Sequence, residues 1–293
     1  MPTLSDINKH ILNVKQTRKI TNAMYLIASS RMRKALANID QNRAYYTRAI
    51  ETMREIRARA DISHPYLTHR TGTSGNTAYI VISGEKGLSG SYNHDVLQMA
   101  DESIEKHKAT HIFTVGAMAS AHFKRAGVQV NESFEHVAQT PSINTARRMT
   151  HIIMELYDSG EIDELRIVYT RFLSPAVHAP VDVEILPIEL ESGEREWALE
   201  GWEKRTDFIL YEPSPDELFL GLVPQFIIGY IYGALVHSHA SENFSRMAAM
   251  EGATNSADEL IAKLTKQYHS ARQLAITNEI SEIVNGANAL LEG

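Results

Sequence analysis

The stretch with the most promising chemistry is Gly84-Glu85-Lys86-Gly87-Leu88-Ser89-Gly90-Ser91-Tyr92-Asn93. It follows a short β-branched run and precedes a helical pattern, which is where a phosphate-cradling loop would lie. Its spacing fails each nucleotide or nucleophile pattern in turn. No Gly-Lys-Ser/Thr closes it as in a P-loop, and its glycines fall at steps of three rather than in the dinucleotide spacing. A nucleophile elbow needs glycine two residues after the serine, and position 91 is Ser91. The loop therefore reads as a structural strand-to-helix turn, of a kind that can serve an interface. Thirteen histidines raise the question of a metal, but His237-Ser238-His239 directs its two rings to different sides of a helix, and no zincin spacing occurs. The carboxylates are spread over helix faces without a convincing acid/base pair. No catalytic site, metal site or cofactor site is expected.

The elements that would carry these residues are of two kinds. Thr3 and Asp6 resemble a capping box, and neither Gly nor Pro occurs from there to Ser63. Apolar residues recur at Ile7, Ile11, Val14, Ile20, Met24, Ile27, Leu36 and Ile39, so one helix of nearly sixty residues is expected, about 80 Å long. Pro213-Ser214-Pro215-Asp216-Glu217 is a second strong helix start, with Ser214 as cap and Pro215 at the first helical position. From there to Leu291 the chain would be roughly 110 Å long if wholly helical, with a kink expected at Pro224. Its last part repeats apolar residues at Leu260, Leu264, Tyr268 and Ala271, then at Ile276, Ile280, Ile283, Ala287 and Leu290. Steps of three and four make a coiled-coil-like seam that cannot be hidden without a partner. The first helix, running antiparallel, supplies one.

Between the two helices the character changes. Strands are expected at Ala78 to Ser83, His111 to Val115 and Leu165 to Arg171, with helices at Asp95 to His107, Ala117 to Ala126 and Ile143 to Tyr157. This alternation implies an α/β layer with a largely parallel sheet. Late strands are expected at Val181 to Ile188 and Phe208 to Tyr211, and an acidic loop or hairpin holding both tryptophans over Glu189 to Thr206. The division is thus 1–62 for the first coiled-coil helix, 63–212 for the α/β domain and 213–293 for the second helix.

Composition narrows the function classes. With no cysteine, disulfides, thiolate metal sites and cysteine nucleophiles are excluded. Met1-Pro2-Thr3-Leu4-Ser5-Asp6 lacks a basic segment followed by an apolar one, so no signal peptide is expected. The first sixty residues hold twelve Lys/Arg against four acids, a net +8 that leaves -15 on the rest of a chain whose total is -7. Such an arm suits an acidic protein surface, an anionic membrane or a nucleic acid, although Tyr25, Tyr45 and Tyr46 are few for base stacking. Leu218 to Val236 has nineteen residues without a charge, enough by length to cross a bilayer. Its Pro224, Gln225, two tyrosines and three glycines favour packing against the α/β domain or another subunit.

The chain resembles a known family, the gamma subunits of F-type ATP synthases, which form the central rotor stalk. The resemblance lies in Ile276 to Ala289, in Ser241-Glu242-Asn243, Ser245 to Met250, Ala253-Thr254 and Ala271-Arg272-Gln273, in Thr17 to Met24, and in the Gly84 to Asn93 loop. It covers nearly the whole chain. It implies an antiparallel coiled coil of the terminal helices carrying an inserted Rossmann-like α/β domain that binds no nucleotide. It also implies a non-catalytic rotor on the cytoplasmic face of a bacterial membrane, without a membrane span of its own. The coil would enter a ring of three alpha and three beta subunits, and the α/β domain would meet epsilon and the c ring. Flow of protons or sodium ions would then be coupled to ATP synthesis or hydrolysis. By the same resemblance, Met24, Lys86, Ser89, Arg272, Gln273 and Thr277 contact beta subunits, and Tyr211 and Glu212 contact the c ring and epsilon. The sequence departs from the family where Asn22 replaces a common Lys, where Ser89 and Ser91 replace Cys and Gly, and where Pro224-Gln225-Phe226 and Gly233 stand at positions often holding Arg. The competing expectations are an enzyme built on the α/β domain and a coiled-coil adaptor that binds an acidic partner, a membrane or nucleic acid through the basic helix.

Overall fold

The computed structural model describes residues 3–60, 62, 64–69, 75–174, 177–190 and 211–291, with side chains described up to Asn285. The first helix, α1, spans Leu4–Arg59. Its start is a reciprocal capping box: the Asp6 amide donates to Thr3 Oγ1 at 3.2 Å, and the Thr3 amide donates to Asp6 Oδ2 at 3.1 Å. The last helix, α5, spans Pro215–Leu291 and begins where the Glu217 amide donates to Ser214 Oγ at 3.2 Å. Pro224 lies within its first turns, and the helix continues through it.

Between them run β1 (Thr77–Ile82), α2 (Tyr92–His107), β2 (His111–Val115), α3 (Ala117–Ala126), β3 (Glu132–Phe134), α4 (Ile143–Ser159), β4 (Glu164–Ser174) and β5 (Val177–Leu186). The sheet order is β3-β2-β1-β4-β5. The first four strands are parallel, and β5 returns antiparallel to β4. The expected strands and helices of the α/β layer are present. The three-residue β3 is an addition, too short to leave a periodic signal in the sequence. Tyr211 is in irregular backbone rather than a strand, while residues 208–210 of that expected strand and most of the expected acidic loop lie outside the described residues.

The chain divides into two compact units, residues 1–28 with 246–293 and residues 29–245. Both long helices are cut, so the division does not follow helix ends as the sequence expectation does. The reason is that Tyr46, Met53 and Ile56 of α1, together with Phe219, Val223 and Ile231 of α5, belong to the main core of the sheet unit. The uncharged Leu218 to Val236 stretch is in that core. Phe226 stacks on Tyr46 with centroids 5.5 Å apart, and Asn42 Nδ2 donates to Gly229 O at 3.1 Å. This is the apolar stretch long enough to span a membrane, and most of it is buried inside the protein.

The coiled unit pairs its helix segments antiparallel. Ile7 and Ile11 pack with Leu264, Thr21 Oγ1 lies 2.7 Å from Thr254 Oγ1, and Arg18 Nε lies 2.5 Å from Asp258 Oδ1. The expected α1 seam through Ile20 and Ile27 is corrected here, because both are exposed. Thr21 and Ala28 take the buried positions instead. Small side chains let the helix axes approach, and the larger residues beside them turn outward. The seam on α5 also ends sooner than expected. With Arg18 facing Asp258 and Ile7 near Leu264, the start of α1 falls opposite Ala271. Nothing of α1 remains for Leu274, Ile276, Ile280, Ile283 and Val284, all exposed. The side chains of Ala287 and Leu290 lie outside the described residues.

Two polar clusters hold the sheet unit. Arg166 on β4 meets Asp182 at 2.9 Å, Glu164 at 2.8 Å and Glu184 at 3.3 Å, which ties β4 to β5. Burial, and then the charge of Glu164, raise the Glu184 carboxyl above its usual range. On α5, His237 Nδ1 sits 3.1 Å from Phe172 O. Burial, then the charges of Arg171 and Arg43, push His237 down to about 4 from 6.5, against the opposing effect of its Phe172 hydrogen bond. Because the folded value is depressed, the folded chain resists a proton that the unfolded chain accepts. Stability present above pH 6.5 is therefore lost as pH falls through the window down to about 4. Denaturant melts over that window should lose on the order of 3 kcal/mol through this group, and His237→Gln should flatten that part of the profile.

Candidate functional site

The loop after β1 is built by side chains that follow it. The Gly84 amide donates to Asn93 Oδ1 at 2.8 Å, and Asn93 Nδ2 donates to Lys86 O and to Ser89 Oγ, each at 3.3 Å. The Ala117 amide donates to Glu85 Oε2 at 3.2 Å. Leu88 and Gly90 both take left-handed backbone, at φ 63° and 58°. On the other side stands α5. A methyl on Gly84 would lie 2.8 Å from Glu242 Oε1, and one on Gly90 would lie 4.0 Å from Ser245 O. The order β3-β2-β1-β4 reverses direction at β1, and the end of β1 is where doubly wound sheets receive anionic ligands. Here the Gly84 amide is already bonded, and the Glu242 carboxylate, 5% exposed, stands over the glycine. A phosphate placed there would meet a carboxylate in a confined space. The crevice is used as a joint between sheet and helix.

The residues expected to form contacts fall in separate places. Lys86 is exposed on the loop. Ser89 is 1% exposed, with its hydroxyl turned inward to Asn93, where it shapes the loop from within. Met24 is half-buried in the coiled unit. Arg272, Gln273 and Thr277 are all exposed, and no carboxylate among the described residues pairs with Arg272. Thr277 Oγ1 donates to Gln273 O at 2.9 Å, which ties the hydroxyl to its own helix. Tyr211 packs against the main core of the sheet unit, and its hydroxyl is buried without a hydrogen-bond partner among the described residues, so only Glu212 of that pair is an exposed group. Among the described residues no cluster of His, Asp and Glu is arranged to hold a metal. His237 faces Phe172, while His239 Nδ1 lies 2.9 Å from Ala138 O.

Sequence reasoning did not separate the end of α5 from the seam. Ile276, Ile280 and Ile283 continue the steps of four and three, but at 44%, 56% and 65% exposure they form an apolar stripe with no partner among the described residues. The signal was available in the antiparallel offset, since a first helix starting at Leu4 is too short to reach them.

Two long terminal helices that pair antiparallel, a five-stranded mixed sheet inserted between them in sequence and an apolar helix end left exposed among the described residues define a coiled-coil protein with an inserted α/β domain. The ATP synthase family model matches residues 3–290. The ATP synthase gamma chain of Alkaliphilus metalliredigens is 38% identical over 98% of both chains. The sodium ion specific ATP synthase gamma chain of Acetobacterium woodii is 36% identical, again over 98% of both. A chain in the Euglena gracilis mitochondrial ATP synthase, solved with OSCP, F1 and the c-ring, shares the fold with a TM-score of 0.64 at 16% identity, covering 98% of this chain and 94% of that one. The chain belongs to the ATP synthase gamma chain family.

The clamp on the loop has a measurable consequence. Asn93→Ala removes the acceptor of the Gly84 amide and both donors to the loop. Hydrogen exchange at the Gly84 amide should accelerate by tenfold or more, with a stability loss of about 2 kcal/mol. Unchanged exchange at Gly84 would show that Asn93 does not hold the loop.

Proposed function

We propose that this central-stalk subunit turns inside a ring of three alpha and three beta subunits, and so couples ion-driven rotation of the c ring to ATP synthesis or hydrolysis. The observation that carries this reading is the end of α5. An apolar stripe through Ile276, Ile280 and Ile283, with Arg272 and Gln273 exposed on the same helix, calls for a surrounding surface that the described residues do not supply. A collar formed by other subunits supplies it. The chain performs no chemistry itself. It makes different contacts with each beta subunit at each angle, and so biases three conformations of otherwise identical catalytic subunits.

In this reading Arg272 and Gln273 provide the polar grip on beta. Thr277 and Met24 lie near it, Lys86 acts from the loop, and the basic α1 segment faces acidic surfaces of the ring. Glu212 faces the c ring and epsilon, with Tyr211 holding the segment to the core behind it. The complex would stand on the cytoplasmic face of a bacterial membrane. The α5 stretch from Leu218 to Val236 is occupied with the protein's own core, which favours a peripheral place over a span.

Mixing the purified chain with alpha and beta subunits should give a stable complex with raised ATPase activity. Absence of that complex, or binding to anionic vesicles or DNA in its place, would contradict the proposal. Within the complex, Arg272→Ala with Gln273→Ala should lower coupled turnover by about tenfold, the scale of one charge-assisted hydrogen bond. The melting of the isolated chain should be unchanged, because both residues are exposed.

A further inference from the structure

One face of α1 carries Arg31, Lys34, Ala35 and Asn38, at the spacings of three, four and seven that neighbour one another on a helix. Across from it stand Val236 and His239 of α5 and the Gln139-Thr140-Pro141 connection that leads into α4. Together they line a cavity of about 340 Å³, at the small end of the range for ligand sites. All of these residues belong to the sheet unit. The floor is firm, because Ala35 and Val236, 2% and 0% exposed, share an apolar cluster with Ile39, Phe172 and Ala240. One wall is fixed as well: His239 Nδ1 donates to Ala138 O at 2.9 Å and so ties α5 to the connection.

The rim is polar and positive. Arg31, Lys34 and Thr140 are exposed, and Asn38 and Gln139 are half-buried. Among the described residues no Asp or Glu lines the cavity, and no carboxylate pairs with Arg31 or Lys34. Two like charges one helical turn apart repel, a cost that an anion held between them would remove. Pro141 directly precedes Ser142, the cap of α4, so the positive end of that helix lies beside the cavity.

We propose that this cavity binds a phosphate group, with Arg31 and Lys34 matching its two charges and Asn38, Gln139 and Thr140 donating to its oxygens. The guanidinium fork suits an oxyanion, and the ammonium adds a compact second charge. Phosphate fits better than a carboxylate, which would leave one of the two cations unmatched and would offer fewer oxygens to donors standing on separate walls. The bound group would join α1, α5 and the connection before α4, and so stiffen the sheet unit. The rotor reading does not depend on it.

The test uses the full chain and two probes: inorganic phosphate at constant ionic strength, and phosphatidylcholine vesicles carrying phosphatidate. Calorimetric titration should show saturable binding of inorganic phosphate, with a dissociation constant on the order of 1 mM. Arg31→Gln and Lys34→Gln should each weaken it by about tenfold, the scale of one charge-assisted hydrogen bond. Arg33→Gln removes the same charge from another face of α1 and should stay within about twofold of wild type. Phosphate at about ten times that constant should raise the melting temperature by about 2 °C, and Arg31→Gln should remove most of the rise. If only the vesicles bind, with the same dependence on Arg31 and Lys34, a lipid headgroup supplies the phosphate and the site stands. The site is overturned if neither probe binds saturably, or if Arg31→Gln and Arg33→Gln weaken binding alike, which would mark a diffuse basic face. It is also overturned if acetate displaces phosphate at equal concentration, which would mark a seat for a partner's carboxylate.

Discussion

The constraint on which this structure depends is that neither terminal helix can bury its own apolar stripe. A single helix presents one face to a partner or to water. In the coiled unit the partners are Ile7 and Ile11 against Leu264, closed further along by Thr21 and Thr254. In the sheet unit they are Tyr46 against Phe226 and Tyr230, with the same long helices now sharing a core with the sheet. The antiparallel offset that satisfies these pairs also decides what is left over. Once the start of α1 has met Ala271, the apolar end of α5 stays exposed among the described residues. Intramolecular pairing and the exposed end of α5 thus arise from one arrangement of stripes.

The sheet unit shows a similar economy. Its strand order creates the crevice at the end of β1 that serves ligands in doubly wound proteins. Asn93 occupies the Gly84 amide and Glu242 covers the glycine. The position that elsewhere grips a phosphate grips a helix instead. This converts a ligand loop into a mechanical joint and leaves Lys86 and Leu88 on its outer side. The Arg166 cluster stiffens the far edge by tying β4 to the antiparallel β5.

Much of this was legible in the sequence because it is periodic or local. The capping residues Thr3, Asp6 and Ser214 mark the helix starts correctly, and glycine steps of three in the loop argue against a phosphate cradle. The errors come from information that periodicity does not carry. Ile20 and Ile27 fit a helical stripe as well as Thr21 and Ala28 do, and only the close approach of two axes selects the small residues. Ile276 to Ile283 repeat with the seam, and only the pairing offset reveals that they lie beyond the start of α1. Resemblance to a family, rather than periodicity, singles out Ser89 and Tyr211, and it carries no information on where their side chains turn. The chain turns the first inward onto Asn93 and buries the hydroxyl of the second, because side-chain direction depends on contacts distant in sequence.

The central claim is that this chain turns as a shaft within a ring of other subunits. The most direct measurement fixes the ring of alpha and beta subunits to a surface, attaches an optical probe to this chain and supplies ATP. The account predicts one-directional rotation of the probe with three stops per turn, one for each beta subunit. A probe that stays still while the assembled complex hydrolyses ATP at its full rate would contradict it.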